Sequence, residues 1–319
     1  MSKRFDVTLC GELNLDLILY GLPEELDLER EVLCKDLTLT LGSSSAILAH
    51  NLARLGTRVG FISRVGNDPL GQIALDWLAS AGVDVSHVHR VPHGSATGLT
   101  VVLQHPGGRH MLTYPGAMFE MCWEDLDLKY LASARHFHLS SYFLHRALRP
   151  RIAELFRRMK EAGLSTSLDT NDDPDDNWGK DVREALRYVD VFLPNEREAT
   201  CIAGSGRPSK ERILEYTDPM EKTLERLSQW TPLVVVKRGS AGAVARRGKE
   251  LLTRPAVPVD VVDAVGAGDS FDAGFLHKYL HGADLGACLE FANRVAALSL
   301  TKPGGTSALR EKLPADLRK

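Results

Sequence analysis

The chain has 319 residues, 44% hydrophobic and 25% charged, with 27 glycines and 15 prolines, which is globular usage and excludes collagen-like, coiled-coil and disordered chains. Thirty-nine Lys and Arg residues against 42 Asp and Glu residues leave a net charge of −3 with no block of like charge, so neither a nucleic-acid partner nor an anionic membrane partner is expected.

Strand-like and helix-like runs alternate along the chain. Residues 5–10 form an apolar run that stops at Gly11 and Glu12, too early for a signal-peptide core. Residues 43–55 carry Leu48, Leu52 and Leu55 at helical spacing and end before Gly56. Residues 59–63 read as a strand. Asp68 followed by Pro69 reads as a cap and first helical residue, opening a helix that closes at Gly82. Residues 151–162, 180–188, 219–230, 270–280 and 285–300 read as helices, and 164–168, 189–194 and 233–237 as strands. This rhythm predicts a three-layer α/β fold, a mainly parallel central sheet with helices on both faces.

Two segments depart from the rhythm. Residues 13–41 and 96–114 alternate or cluster apolar side chains without helical period, and the second contains Pro106-Gly107-Gly108. They predict strands of a small β-sheet that forms a lid on a single domain spanning residues 1–319. No run approaches the ~18 apolar residues of a membrane span. The five cysteines (Cys10, Cys34, Cys122, Cys201, Cys288) are scattered and fit a reducing, cytoplasmic setting.

The most informative stretch is Asp263-Ala264-Val265-Gly266-Ala267-Gly268-Asp269-Ser270-Phe271. Three small residues at the start of a helix let backbone N–H groups converge at the positive end of the helix dipole, a setting suited to phosphate or developing negative charge. Asp269 lies beside them. Chemistry alone leaves open whether it acts on a substrate or only caps the helix. A Walker-type phosphate loop is absent, and Phe271 occupies the third-glycine position of a dinucleotide fingerprint.

Asp263 to Phe271 resembles the C-terminal signature of the ribokinase/PfkB carbohydrate kinase family. The resemblance extends to Arg64-Val65-Gly66-Asn67-Asp68 with Gly71, to Asn195-Glu196-Arg197-Glu198, to Lys237-Arg238-Gly239-Ser240-Ala241-Gly242, and to Asn293 with residues 302–307. It implies a ribokinase-like fold and phosphoryl transfer from ATP to an alcohol. Asp269 would be the general base and the backbone of Gly266, Ala267 and Gly268 the anion hole. The resemblance places Asn195, Glu198, Lys237, Gly239, Gly242 and Asn293 at the nucleotide, with Glu198 meeting Mg²⁺ through water. Asp263, Val265 and the backbone of 303–307 match a monovalent-cation site in which Ala264 replaces the usual threonine, so potassium is a candidate cofactor. Asn14 and Asp16 match the acceptor-binding residues, joined by Gly42, Ser43, Ser44 and Asn171.

Two departures bear on the acceptor. Gly42-Ser43-Ser44-Ser45-Ala46-Ile47 stands where relatives read Gly-Gly-x-x-x-Asn, so Ile47 replaces a hydrogen-bonding amide. The segment from Asp169 to Trp178 lacks the arginine that often meets an anionic acceptor and is acidic instead. The expected substrate is therefore a neutral sugar or sugar-like compound, phosphorylated at a primary hydroxyl. The alternatives are a nucleoside kinase of the same family, with Ile47 facing a base, or a catalytically silent sensor of nucleotide or sugar. A homodimer through the lid is the expected assembly.

Other patterns have simpler readings. Asp169, Asn171, Asp173 and Asp175 lack the glycine and bidentate glutamate of a calcium loop, since Pro174 and Lys180 stand there. His136 and His138 share one strand face without a nearby third zinc ligand, and His277 and His281 flank Lys278 rather than glutamate. Ser140, Ser141 and Tyr142 follow an apolar strand and read equally well as loop packing or as an approach to the acceptor.

Overall fold

The computed structural model describes residues 3–92, 94–204, 220–311, 313–314 and 317. Its strands are β1 (Phe5–Cys10), β2 (Asn14–Tyr20), β3 (Asp36–Leu41), β4 (Val59–Gly66), β5 (Asp84–Val91), β6 (Gly98–His105), β7 (Gly108–Tyr114), β8 (Ala134–Leu139), β9 (Ser165–Leu168), β10 (Val191–Phe192), β11 (Leu233–Lys237), β12 (Ala243–Arg247) and β13 (Glu250–Arg254). Its helices are α1 (Ser44–Arg54), α2 (Pro69–Ser80), α3 (Leu128–Leu131), α4 (Ile152–Glu161), α5 (Lys180–Leu186), α6 (Glu196–Ala203), α7 (Met220–Leu227), α8 (Ala267–Leu280), α9 (Leu285–Ser299) and α10 (Ser307–Arg310).

The central sheet runs β13-β12-β11-β10-β9-β8-β1-β4-β5, parallel from β11 to β5, with β12 and β13 antiparallel at one edge. Alternate residues of one strand enter two different cores. Leu233 and Val235 of β11 join Val7, Leu9 and Phe61 against Leu48, Phe275 and Leu289 of α1, α8 and α9. Val234 and Val236 join Phe137 and Leu139 against Phe156, Leu186 and Ile202 of α4, α5 and α6. A sheet buried on both faces needs apolar residues on both, which is why these strands read as continuous apolar runs.

Several boundaries differ from the sequence reading. The strand expected over 189–194 shrinks to Val191–Phe192, because Pro194 has no N–H to continue the ladder. The helix expected from 270 begins at Ala267, and the one expected from 43 begins at Ser44 because Ser43 adopts φ 59. The strand at 59–63 continues to Gly66. The β12–β13 hairpin was not anticipated; Arg246 and Arg247 obscure its alternation. Of the helix expected over 219–230, Pro219 lies outside the described residues and Met220–Leu227 is helical.

The second sheet has the order β3-β2-β6-β7 and draws its strands from the two segments singled out in the sequence. Register aligns Thr40, Asp16, Thr100 and Thr113 in one polar row across all four strands. Parallel strands present their C-terminal ends along one edge, where α/β sheets place ligands. Glu12, Ser140, Asp169, Asn195 and Lys237 all fall at that edge, and β2 leaves it to build the second sheet.

Candidate active site

The turn from Asp263 into α8 is the centre of the site. Gly266 caps the helix at φ 71, and a Cβ there would lie 2.6 Å from Gly305 Cα, so glycine is required. Ser270 Oγ donates to the Gly266 carbonyl at 2.8 Å, and Asn51 Nδ2 donates to Ser270 Oγ and to the Gly305 carbonyl, both at 3.0 Å. Ile47 packs onto this glycine pair and is only 2% exposed. Gly268 and Asp269 lie in the first turn of a 14-residue helix, where N–H groups lack an intrahelical partner and the dipole favours anions.

Asp269 is half-buried at the wall of a cavity of ≈ 780 Å³. Burial, with the nearby Asp169 charge, pushes its carboxyl up to about 7, while Lys237 and the Ser44 hydroxyl act in the opposite sense. Lys237 Nζ lies 2.9 Å from Asp272 Oδ2 and 3.1 Å from Asp169 Oδ2. It also sits 3.6 Å from where a Gly268 Cβ would be, beside the first turn of α8. Burial alone would lower its affinity for a proton, but the Asp169 and Asp272 charges outweigh burial and keep the ammonium charged. Asp272 was not singled out in the sequence, although its place three residues after Asp269 puts it on the same helix face.

Glu198 and Asn195 form a reciprocal cap at the start of α6. Glu198 N donates to Asn195 Oδ1 at 2.9 Å and Asn195 N to Glu198 Oε2 at 3.0 Å. Burial, then the Asp169 charge, pushes Glu198 up to about 7. Asp169 Oδ1 is buried without a protein partner. Asp169 and Glu198 both line the cavity, so hard oxygen donors suited to Mg²⁺ meet there.

From this acidic end the cavity runs between the turn after β11 and α9. Gly239 (φ 54) and Gly242 (φ 83) allow that turn, and a Cβ on Gly242 would collide with the Arg254 carbonyl. Val257, Val259, Val261, Ala297 and Leu300 supply apolar walls suited to a planar base. Asn293 lines the cavity too, but donates its amide to the Arg254 and Pro255 carbonyls at 3.3 and 3.0 Å.

The residues expected at the acceptor include Asp16, on which the Asp269 charge acts. Asn14 Nδ2 donates to Thr100 Oγ1 at 3.3 Å, while Asn14 Oδ1 is buried without a partner. Burial, then the charges of Asp269 and Asp263, pushes Asp16 up to about 7 against the opposing Thr100 hydroxyl. Gly42 packs so closely that a Cβ would collide with Asp16 Oδ1. Asn171 adopts φ 52, with its Oδ1 also buried and unpartnered. Ser44 and Asn171 reach the cavity wall. Ser43 turns its hydroxyl to the Glu12 and Gly42 carbonyls at 2.9 and 2.7 Å.

Asp263, 2% exposed, accepts from Val265 N at 3.0 Å and Gly304 N at 2.8 Å, tying the 303–307 segment to the turn. The Val265 side chain packs with Ile18 and Val102 of the lid. His136 and His138 are saturated by serines. His136 meets Ser165 and Ser167 at 2.7 and 2.6 Å, and His138 meets Ser167 and Ser140 at 2.7 and 2.8 Å. Burial pushes His136 down to about 3 and holds His138 well below the usual imidazole value. The acidic segment after Asp169 organises itself, with Asp173 accepting from the N–H groups of Asp175, Asn177 and Trp178.

A sequence profile of the pfkB family carbohydrate kinases matches residues 5–312. The chain belongs to that family. An ATP-dependent ribose-1-phosphate kinase of Halopiger xanaduensis is 32% identical over 84% of this chain and 82% of its own length. An uncharacterized sugar kinase of Archaeoglobus fulgidus is 30% identical over 82% of this chain and 98% of its own. Among solved structures, a putative ribokinase II from E. coli in complex with ATP and Mg²⁺ has a TM-score of 0.79 at 25% identity, covering 97% of this chain and 96% of that one. The chain is accordingly an ATP-dependent phosphotransferase acting on an alcohol group, a sugar kinase with the ribokinase-like fold. No helix among the described residues is long and apolar enough to cross a membrane.

Proposed function

We propose that this kinase transfers the γ-phosphoryl group of ATP to a primary hydroxyl of a neutral sugar or sugar-like acceptor, with Asp269 as general base. The observation that carries this reading is the place of Asp269. It stands in the first turn of α8 and lines the nucleotide cavity, and its charge acts on Asp16 of the Asn14–Asp16–Gly42 cluster. ATP would lie along the apolar walls with its phosphates towards Gly268 and Lys237. The acceptor would lie under the lid, its hydroxyls donating to Asn14 Oδ1 and Asn171 Oδ1, two buried oxygens that lack partners.

Ionised Asp269 then takes the proton of the acceptor hydroxyl as its oxygen bonds to the γ-phosphorus. The bond from that phosphorus to the bridging oxygen breaks, and ADP leaves with the electron pair. N–H groups of Gly266, Ala267 and Gly268 and the Lys237 ammonium would stabilise the charge on the equatorial phosphoryl oxygens. Glu198, through water, and Asp169 would hold Mg²⁺, which neutralises phosphate charge when bound.

The acceptor cluster offers carboxylate, amide and hydroxyl groups suited to a polyhydroxy compound, with the charge of Arg109 acting on Asp16. Ile47, 2% exposed, packs against Gly266 and Gly305, which weighs against its facing a nucleoside base. We read the whole chain as one kinase domain under the lid. Exposed Met111, Leu112 and Tyr114 on the edge strand β7 support a homodimer through that lid. The five cysteines are free thiols, which supports a cytoplasmic setting.

The test is ADP release from Mg-ATP across hexoses, pentoses, ketoses, polyols, sugar acids, sugar phosphates and nucleosides, each with and without potassium. A neutral sugar as the best acceptor bears the reading out. A response confined to nucleosides or to anionic sugars replaces it. Potassium activation lost in Asp263→Asn would place the monovalent cation at Asp263.

A further inference from the structure

Glu12, only 2% exposed, is a buried carboxylate that the phosphoryl transfer does not use. It sits between the end of β1 and Asn14, and three donors from two distant segments converge on it. Its Oε1 accepts from Ser45 N at 3.2 Å and from Ser141 Oγ at 2.5 Å, and its Oε2 accepts from Ser45 Oγ at 2.7 Å. The Nε2 of buried His145 lies 3.4 Å from Oε2 while bonding the Ser140 carbonyl at 3.0 Å. The Glu12 carbonyl in turn accepts from Ser43 Oγ at 2.9 Å.

The segments so tied are the ones that shape the acceptor side. Ser43 (φ 59) and Ser141 (φ 55) both hold left-handed backbone that serine rarely adopts, and such conformations persist only where surrounding contacts enforce them. Both sit within one hydrogen bond of Glu12. Ser44, between the two residues that Glu12 grips, presents its hydroxyl to Asp269. Most of the lining of the nucleotide cavity, from Asn195 to Leu300, lies on other elements, with Ser44, Asp169 and Asn171 completing it.

We infer that Glu12 is a positioning residue for the acceptor, clamping the start of α1 and the segment after β8 so that Asn14, Gly42 and Ser44 meet the acceptor in register with Asp269. This rests on the acceptor site proposed above.

The experiment uses the full chain and the best acceptor from the panel. Glu12→Ala removes the clamp and is expected to raise the acceptor KM by about 10-fold or more while the ATP KM stays within about 2-fold. Glu12→Gln is expected to recover most of the loss, because its amide oxygen accepts from Ser45 N and Ser141 while its amide nitrogen donates to Ser45 Oγ. Ser141→Ala, which cuts one arm and leaves the carboxylate in place, should shift the acceptor KM in the same direction by less, and it decides the matter where Glu12→Ala does not fold. Equal rises in both KM values, an unchanged acceptor KM, or a Gln variant no better than Ala each overturn the inference. Failure of the acceptor site itself is separate, for it appears as wild-type enzyme without turnover on any sugar, or as Asp269→Asn with near-normal turnover.

Discussion

Replacing Asp269 by asparagine should abolish turnover and at the same time stabilise the protein, in a manner that depends on pH. The carboxyl is moved from its ordinary 3.8 to about 7, first by burial and then by the Asp169 charge. Because the folded-state value lies above the unfolded one, the folded state binds the extra proton between those limits. The ionised group therefore opposes folding: the penalty is absent below about pH 4, grows towards pH 7 and is complete above it. At 1.36 kcal/mol per decade the full move would amount to about 4 kcal/mol. Asp269 opens to the cavity, so solvent screening reduces this to about 1–2 kcal/mol. For a chain of this size that is roughly 2–4 °C in Tm. Asparagine carries no charge and escapes the penalty, but cannot take the acceptor proton, so kcat should fall about 10²–10⁴-fold. The assay is thermal melting of both proteins without nucleotide at pH 5 and pH 8, alongside ADP release. Melting curves that coincide at pH 8, or a variant less stable there, would refute the claim that the base is held against desolvation. Near-normal turnover would remove Asp269 from the mechanism.

With wild-type enzyme, kcat/KM for the acceptor should rise with pH through about 7 and level off above it, since only ionised Asp269 accepts the proton; a flat profile from pH 5.5 to 8 counts against that assignment. Lys237→Met leaves Asp169 and Asp272 without their cation and the first turn of α8 without the ammonium beside it. Turnover should drop about 100-fold or more, and adding Asp272→Asn should recover thermal stability but not turnover; a double variant with restored kcat would make the lysine purely structural. Gly42→Ala puts a methyl group against Asp16 and Asn14, so the acceptor KM should rise with the ATP KM unchanged, and equal affinity for the acceptor would mean that the cluster lies elsewhere.

Local order made much of this molecule readable in one dimension. A turn of small residues followed at once by an acid and a helix can be recognised in sequence because its geometry depends on neighbouring residues: Gly266 needs its positive φ, and Asp269 falls in the first turn by count alone. The alternation of apolar strands with helices is likewise local, and the two segments that broke it became the four-stranded second sheet. Tertiary structure decided which charges meet. Lys237 pairs with Asp272, 35 residues on, and Glu12 grips Ser141 across 129 residues, and neither spacing carries a signal in sequence because a folded chain closes such distances through its whole topology. Ile47 shows the same division: its apolar character was evident as a lost amide, but its role as packing for Gly266 and Gly305 exists only once α1 and the 303–307 segment come together. Side-chain type is a property of the residue, whereas the dielectric and the partners that set its chemistry belong to the fold.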